Sequence, residues 1–311
     1  MWEATRRVWG TSVNNTPKSL RTTVSVIFLV AAGLAICGCG RDAAPDRTVG
    51  GKLRIVSLAP SVTEVLFALG AGESLVGATD RCDYPPAAVG IERVGEFGAP
   101  NVEKLLALSP DLVIAAGLER EEVADVLRRS GIRVLDVRIR NFEELFDAIR
   151  QIGEAAGRLR QAQGVVAGMQ AELEAVKAQN NAAPRRQRPK VLVEIGDHPL
   201  MTAGGASFLD DLIARAGGVN VAHEIPQAYA SINPEKVIEW NPDIIIVARM
   251  GRPGDAAVQL SRRIGWADIS AVKNGRVIDD IQPDLLFRPG PRLIDGVKAL
   301  AVRLHKPKGK Q

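Results

Sequence analysis

The chain has few of the side chains that usually betray a chemistry. Aromatic residues make up 4% of its 311 residues, so any aromatic-lined pocket rests on a few rings. Basic stripes interleaved with aromatics, the footprint of a groove-reading protein, are absent. The net charge of +4 sits largely at the ends, in Arg6, Arg7, Lys18 and Arg21 and in Lys306, Lys308 and Lys310, which argues against a nucleic-acid partner. The three histidines, His198, His223 and His305, are far apart in sequence and lie in no His-rich loop. A receptor for a naked zinc or manganese ion needs three or more clustered His and carboxylate ligands, so no protein-held metal is expected. Glycine-rich phosphate loops, Gly-x-Ser-x-Gly and His-Glu-x-x-His are all missing, and with them the common signatures of an enzyme. No intrinsic cofactor is expected. A long apolar run is missing too: the stretch Val24 to Ile36 falls short of the roughly 20 residues a spanning helix needs.

What is there begins with an address. The basic segment before Val24 and the short apolar run have the form of a secretory signal. The run ends in Ile36-Cys-Gly-Cys39, which resembles the lipobox of bacterial lipoproteins, with Gly38 at the small position before the cysteine. The expectation is a signal peptide over 1–38, lipidation of Cys39, and a polar tether over 39–52. The protein is then exported and held at the periplasmic face or cell surface by the acyl anchor; an uncleaved anchor helix would give the same topology. Only Cys82 remains as a thiol, so no structural disulfide is available.

The body repeats itself. Asn101-Val-Glu-Lys-Leu-Leu-Ala-Leu-Ser-Pro-Asp-Leu-Val-Ile-Ala115 aligns without gaps on Asn233-Pro-Glu-Lys-Val-Ile-Glu-Trp-Asn-Pro-Asp-Ile-Ile-Ile-Val247. Each copy reads as an Asn-capped helix, a Pro stop and a continuous apolar strand, the last suited to a parallel sheet buried on both faces. Arg133-Val-Leu-Asp136 echoes Arg276-Val-Ile-Asp279. The expected fold is α/β: two related lobes with mainly parallel sheets, over 53–141 and 191–305. Between them, 142–180 is Pro-free and helical in period, ending in a bridging helix rich in Ala, Gln, Glu and Lys. A basic linker over 181–190 and a basic tail over 306–311 complete the chain. Ser61-Val-Thr-Glu64 reads as a capping box opening the first helix. A continuous helix between lobes resists bending, so closure around a ligand should be small.

These segments resemble the helical-backbone metal-chelate receptors, the periplasmic binding proteins for vitamin B12, ferric siderophores and haem, over roughly residues 53–305. The landmarks are Arg54-Ile-Val-Ser-Leu-Ala-Pro-Ser-Val-Thr-Glu64, Val76-Gly-Ala-Thr-Asp-Arg-Cys-Asp-Tyr-Pro-Pro86, the two repeat copies, and Ser207-Phe-Leu-Asp-Asp-Leu-Ile-Ala-Arg-Ala-Gly-Gly-Val-Asn220. The resemblance implies a monomer with its ligand in a cleft between the lobes, and no catalysis. It implies an ABC permease dimer with its ATPase subunits as partner, docked through Glu103 and Glu235, symmetry mates within the repeat. Each of these acids also suits a helix start, where it favours the dipole. The cleft contacts it implies are Arg81, Tyr84, Phe97 and the Asp284–Arg292 loop with Phe287 and Arg288. Phe97 lies in a Gly-flanked loop, which favours exposure to a cleft. Family members often carry tyrosine where Arg81 stands; an arginine there pairs with ligand carboxylate or phosphate, or remains a solvated loop cation. His198 follows a strand end where α/β ligands gather. Cys82 is either a soft ligand or a buried, inert thiol, and Trp240 and Trp266 read as packing residues. The resemblance favours a corrinoid (vitamin B12) over a ferric siderophore as the transported ligand. The rivals are a ligand-free scaffold lipoprotein of the same fold and an exported α/β enzyme.

Overall fold

The computed structural model describes residues 52–117, 121–180, 188–248 and 255–305. The signal segment with Cys39, nearly all of the tether and linker, and the basic tail lie outside the described residues.

The first lobe is built on strand β1 (Ile55–Ser57), helix α1 (Pro60–Ala68), β2 (Leu75–Ala78), the short pair β3 (Gly95–Glu96) and β4 (Ala99–Pro100), α2 (Val102–Ala107), β5 (Leu112–Ala116), α3 (Glu121–Arg129) and β6 (Arg133–Val137). Its sheet runs β2-β1-β5-β6, parallel throughout. β1 is wholly buried and β5 nearly so, as uninterrupted apolar runs require between two helical layers. The expected capping box does not form. Pro60, whose fixed φ and missing N–H suit a first helical turn, starts α1 directly after Ala59, and Ser61 and Glu64 are buried within the helix.

The stretch 142–180 forms two helices, the second the longer. α4 (Phe142–Ala155) starts at Asn141, whose Oδ1 accepts the Glu144 N–H at 2.9 Å. It ends before Gly157, in the left-handed region at φ 67°. α5 (Leu159–Asn180) follows. The two approach so closely that a Cβ on Gly153 would stand 2.4 Å from that of Ala162.

The second lobe comprises β7 (Lys190–Asp197), β8 (Leu200–Ala203), α6 (Phe208–Arg215), β9 (Val219–Asn220), β10 (Tyr229–Ser231), α7 (Pro234–Trp240), β11 (Ile244–Val247), α8 (Ala256–Ser261), α9 (Ser270–Lys273), β12 (Val277–Ile278), α10 (Asp284–Phe287) and α11 (Leu293–Leu304). Its sheet, ordered β10-β8-β7-β11-β12 with β9 also on β7, is mixed. β7, β11, β12 and β9 pair in parallel, whereas β8 pairs antiparallel with both β7 and β10. The two residues between β7 and β8 permit only a hairpin, since a parallel return needs a crossover of a dozen residues or more.

The repeat is carried by matching local contacts. Asn101 and Asn233 cap α2 and α7 with their side-chain oxygens. Ser109 and Asn241, each before a proline, both have φ 44°. Asp111 accepts the Arg54 N–H at 2.9 Å, and Asp243 accepts that of Lys190 at the same distance. The side chains of Arg54 and Lys190 in turn donate to the carbonyls of Leu108 and Trp240. Outer cores sit around Leu105 and Leu127 in the first lobe and around the fully buried Trp266 in the second, with Trp240 packed half-buried against the latter. A central core is continuous across both lobes, from Ile55, Leu66 and Leu112 through Phe142, Ile149 and Leu173 to Val193, Leu212 and Leu300.

Candidate functional site

Both sheets end at a cleft of about 550 Å³, within the range of small-molecule sites. Ala59 follows β1, Ala116 ends β5, Ile195 lies near the end of β7, and Ala248 follows β11; all four line the cleft. Ligands of parallel α/β sheets gather at these carboxyl ends, where backbone and side chains diverge from the sheet.

Four of the six candidate ligand residues stand on this wall: Arg81, Phe97, Phe287 and Arg288. Phe97 is 54% exposed, between Gly95 and Gly98, both at positive φ. Its N–H is held by Asp80 Oδ1 at 2.8 Å, which fixes the ring-bearing turn against the lobe. Phe97 also lines a smaller cavity of about 230 Å³ with Leu58, Pro100 and Ala115. Phe287 ends α10 and faces it from the second lobe, packed partly against the central core.

The two cleft arginines differ in electrostatic state. Arg81 is well exposed and meets Asp80 at only 3.8 Å. Arg288 is mostly buried, with Nη1 2.6 Å from Asp83, Nε 3.0 Å from Asp284 and Glu64 at 3.9 Å. The hydrogen bond from Arg288 holds the Asp83 carboxyl below its ordinary range, against partial burial that pushes the other way. Burial would lower the Arg288 guanidinium, but the bond to Asp83 and the charges of Asp284 and Glu64 outweigh it and raise it. Arg288 thus reaches the cleft with its charge matched, whereas the head of Arg81 remains largely open to a ligand.

Tyr84 is not on the cleft wall. Its ring lies 3.5 Å beneath the Arg292 guanidinium, which pairs with Glu64 through bonds of 2.9 and 2.5 Å. His198 is not on the wall either: its side chain is 93% exposed at the β7–β8 turn, 3.5 Å from Asp197. The strand does end there, but the hairpin tip carries the ring into solvent. Cys82 is fully buried against Thr79 Oγ1 at 3.3 Å. Glu64 and Asp83 stand outside the candidate site residues, and Arg292 enters them only as the end of the Asp284–Arg292 loop. Glu64 spells a local capping motif, and its partner lies 228 residues away, so no local pattern announces the pair. Glu103 and Glu235 occupy matching exposed places in the first turns of α2 and α7.

The sequence pattern described as "Periplasmic binding protein" matches residues 55–283. The chain belongs to the periplasmic binding protein family. Among its relatives is the uncharacterized ABC transporter substrate-binding lipoprotein YvrC of Bacillus subtilis, 34% identical over 257 residues, covering 81% of this chain and 80% of the relative. The periplasmic vitamin B12 binding protein BtuF of Vibrio cholerae has a similar structure (TM-score 0.70, 28% identity, 81% of this chain and 96% of that one). So has the periplasmic heme-binding protein RhuT from Roseiflexus sp. RS-1 in its apo form (TM-score 0.73, 28% identity, 82% and 98%). Members of this family are binding proteins rather than enzymes. The cleft suits that task, with walls from two lobes and a few polar groups between apolar surfaces.

Proposed function

We propose that this periplasmic binding protein is anchored through Cys39 and captures a metal chelate, a corrinoid in preference to a ferric siderophore or haem, for delivery to an ABC permease. The observation that carries the reading is the interlobe cleft. Its wall is largely apolar, Phe97 and Phe287 approach from opposite lobes, and Arg81 offers one lightly paired cation. Such a surface suits a bulky chelate that brings its own metal ligands and presents amides, carboxylates or a phosphate at its rim. Relatives named for vitamin B12, and solved neighbours named for vitamin B12 and haem, support the ligand class. The relative named as a lipoprotein supports the anchor. Glu103 and Glu235, one per lobe, serve as acidic docking points for basic pockets on a twofold permease. The continuous central core and the Glu64–Arg292 pair tie the lobes together, so closure on the ligand is small.

Native mass spectrometry of residues 40–311 against cyanocobalamin, cobinamide, a ferric hydroxamate, a ferric catecholate and haem tests the ligand assignment. The expected result is a one-to-one corrinoid adduct that excess siderophore does not displace. A stable adduct with a siderophore or haem and none with either corrinoid would reverse the preference.

A further inference from the structure

From 103 to 110 and from 235 to 242, the two repeat copies match position for position in which residues are buried, half-buried and exposed. Leu105 and Val237 point into their lobes, and Leu106 and Ile238, one position on, are turned outward at 37% and 39% exposure. Single exposed aliphatic residues are ordinary on protein surfaces. The same aliphatic exposure at equivalent positions of both lobes is a paired feature. Three residues before each stands the carboxylate of Glu103 or Glu235, on the same helical face. Neither carboxylate has an ion-pair partner among the described residues. In the second lobe the apolar surface extends further. Ile238 lies over Gly265, where an added Cβ would meet its Cδ1 at 2.7 Å, and the adjoining Ile264 is 97% exposed.

We infer that the docking face consists of two acid–aliphatic pairs, Glu103 with Leu106 and Glu235 with Ile238, that seat together on the two symmetry-related subunits of the membrane permease. The inference rests on the proposed delivery to such a permease and adds the apolar half of the contact. An exposed ion pair alone contributes little affinity, because water and salt screen it. An aliphatic side chain one turn away excludes water from the pair and supplies a component that salt does not weaken. A partner with a basic pocket beside an apolar patch, presented twice about a twofold axis, matches this face in charge, polarity and symmetry.

The test uses the cyanocobalamin-loaded full chain and its permease–ATPase complex, reconstituted in nanodiscs, with affinity measured at rising salt. The double variant Leu106→Asn, Ile238→Asn is expected to dock about tenfold more weakly, as loss of contact residues near an interface centre does. Its chelate affinity should be unchanged. Should that variant fold poorly, the wild type still decides. Its docking should fall with salt to a plateau, and Ile264→Asn, at a position with no packing role, should lower that plateau. Wild-type docking by the aliphatic variants, beside lost docking by Glu103→Arg, Glu235→Arg, would overturn the inference and leave the delivery reading standing. Wild-type docking by the acid variant as well would overturn both. Self-association of the wild type that Leu106→Asn abolishes would assign the face to a second copy of the chain and overturn the inference.

Discussion

Glu64 in α1 and Arg292 before α11 are joined by two hydrogen bonds, 2.9 and 2.5 Å long, that cross from the first lobe to the second. The Glu64 side chain is 2% exposed, and Gly290 of the arginine-bearing loop comes close enough that a Cβ there would touch the carboxylate at 3.4 Å. This loop also presents Arg288 to the cleft, so the ion pair positions part of the ligand wall. Glu64→Gln should leave a guanidinium poorly matched between the lobes and cost about 3 kcal/mol, typical of breaking a buried pair from one side. Urea unfolding at pH 7 measures it, and a loss below about 0.5 kcal/mol would mean that the lobes are held by the apolar core alone.

Asp83 sets an acid limit on the same region. Its carboxyl is held below the ordinary value by Arg288, so the stability it contributes is fully present above about pH 4, the unfolded value. That contribution is lost as pH falls through the lower folded value. The half-exposed side chain limits the gain to about 1 kcal/mol or less. The stability gap between wild type and Asp83→Asn should be constant from pH 8 to pH 5 and close below pH 4. Unfolding midpoints across that range check it; a gap that widens in acid would have the wrong sign.

The two repeat caps should behave as equals. Asn101→Ala and Asn233→Ala each remove a side-chain acceptor from a helix start, at about 1 kcal/mol apiece. Lying in separate lobes with no shared partner, they should add in the double variant. Chemical denaturation of the single and double variants measures this, and marked non-additivity would show the lobes coupled through the caps.

The repeat was legible because its landmark residues do local work. An Asn that caps, a residue that turns left-handed before Pro, and an Asp that receives the next strand's N–H must recur wherever that helix–strand unit recurs. Long apolar runs likewise announced β5 and β11. What escaped was decided by distance. Glu64 looks like a cap because Ser61 stands three residues before it, yet Pro60 moves the helix start and the carboxylate answers an arginine from the far end of the chain. Arg288 and Arg81 are alike as letters; only the fold supplies Asp83 and Asp284 to one of them. Tyr84 is near the cleft loops in sequence but is taken up beneath Arg292. His198 was placed correctly at a strand end, and the two-residue hairpin, invisible in a short Asp-His-Pro-Leu string, turns it away.

Calorimetric titration of cyanocobalamin into soluble residues 40–311, with Phe97→Ala run beside the wild type, decides whether the interlobe cleft binds a corrinoid. Submicromolar one-to-one binding is expected of the wild type and about tenfold weaker binding of the variant, as for an aromatic contact residue, with unchanged unfolding. No heat of binding from the folded wild type, or equal affinity in Phe97→Ala, would contradict it.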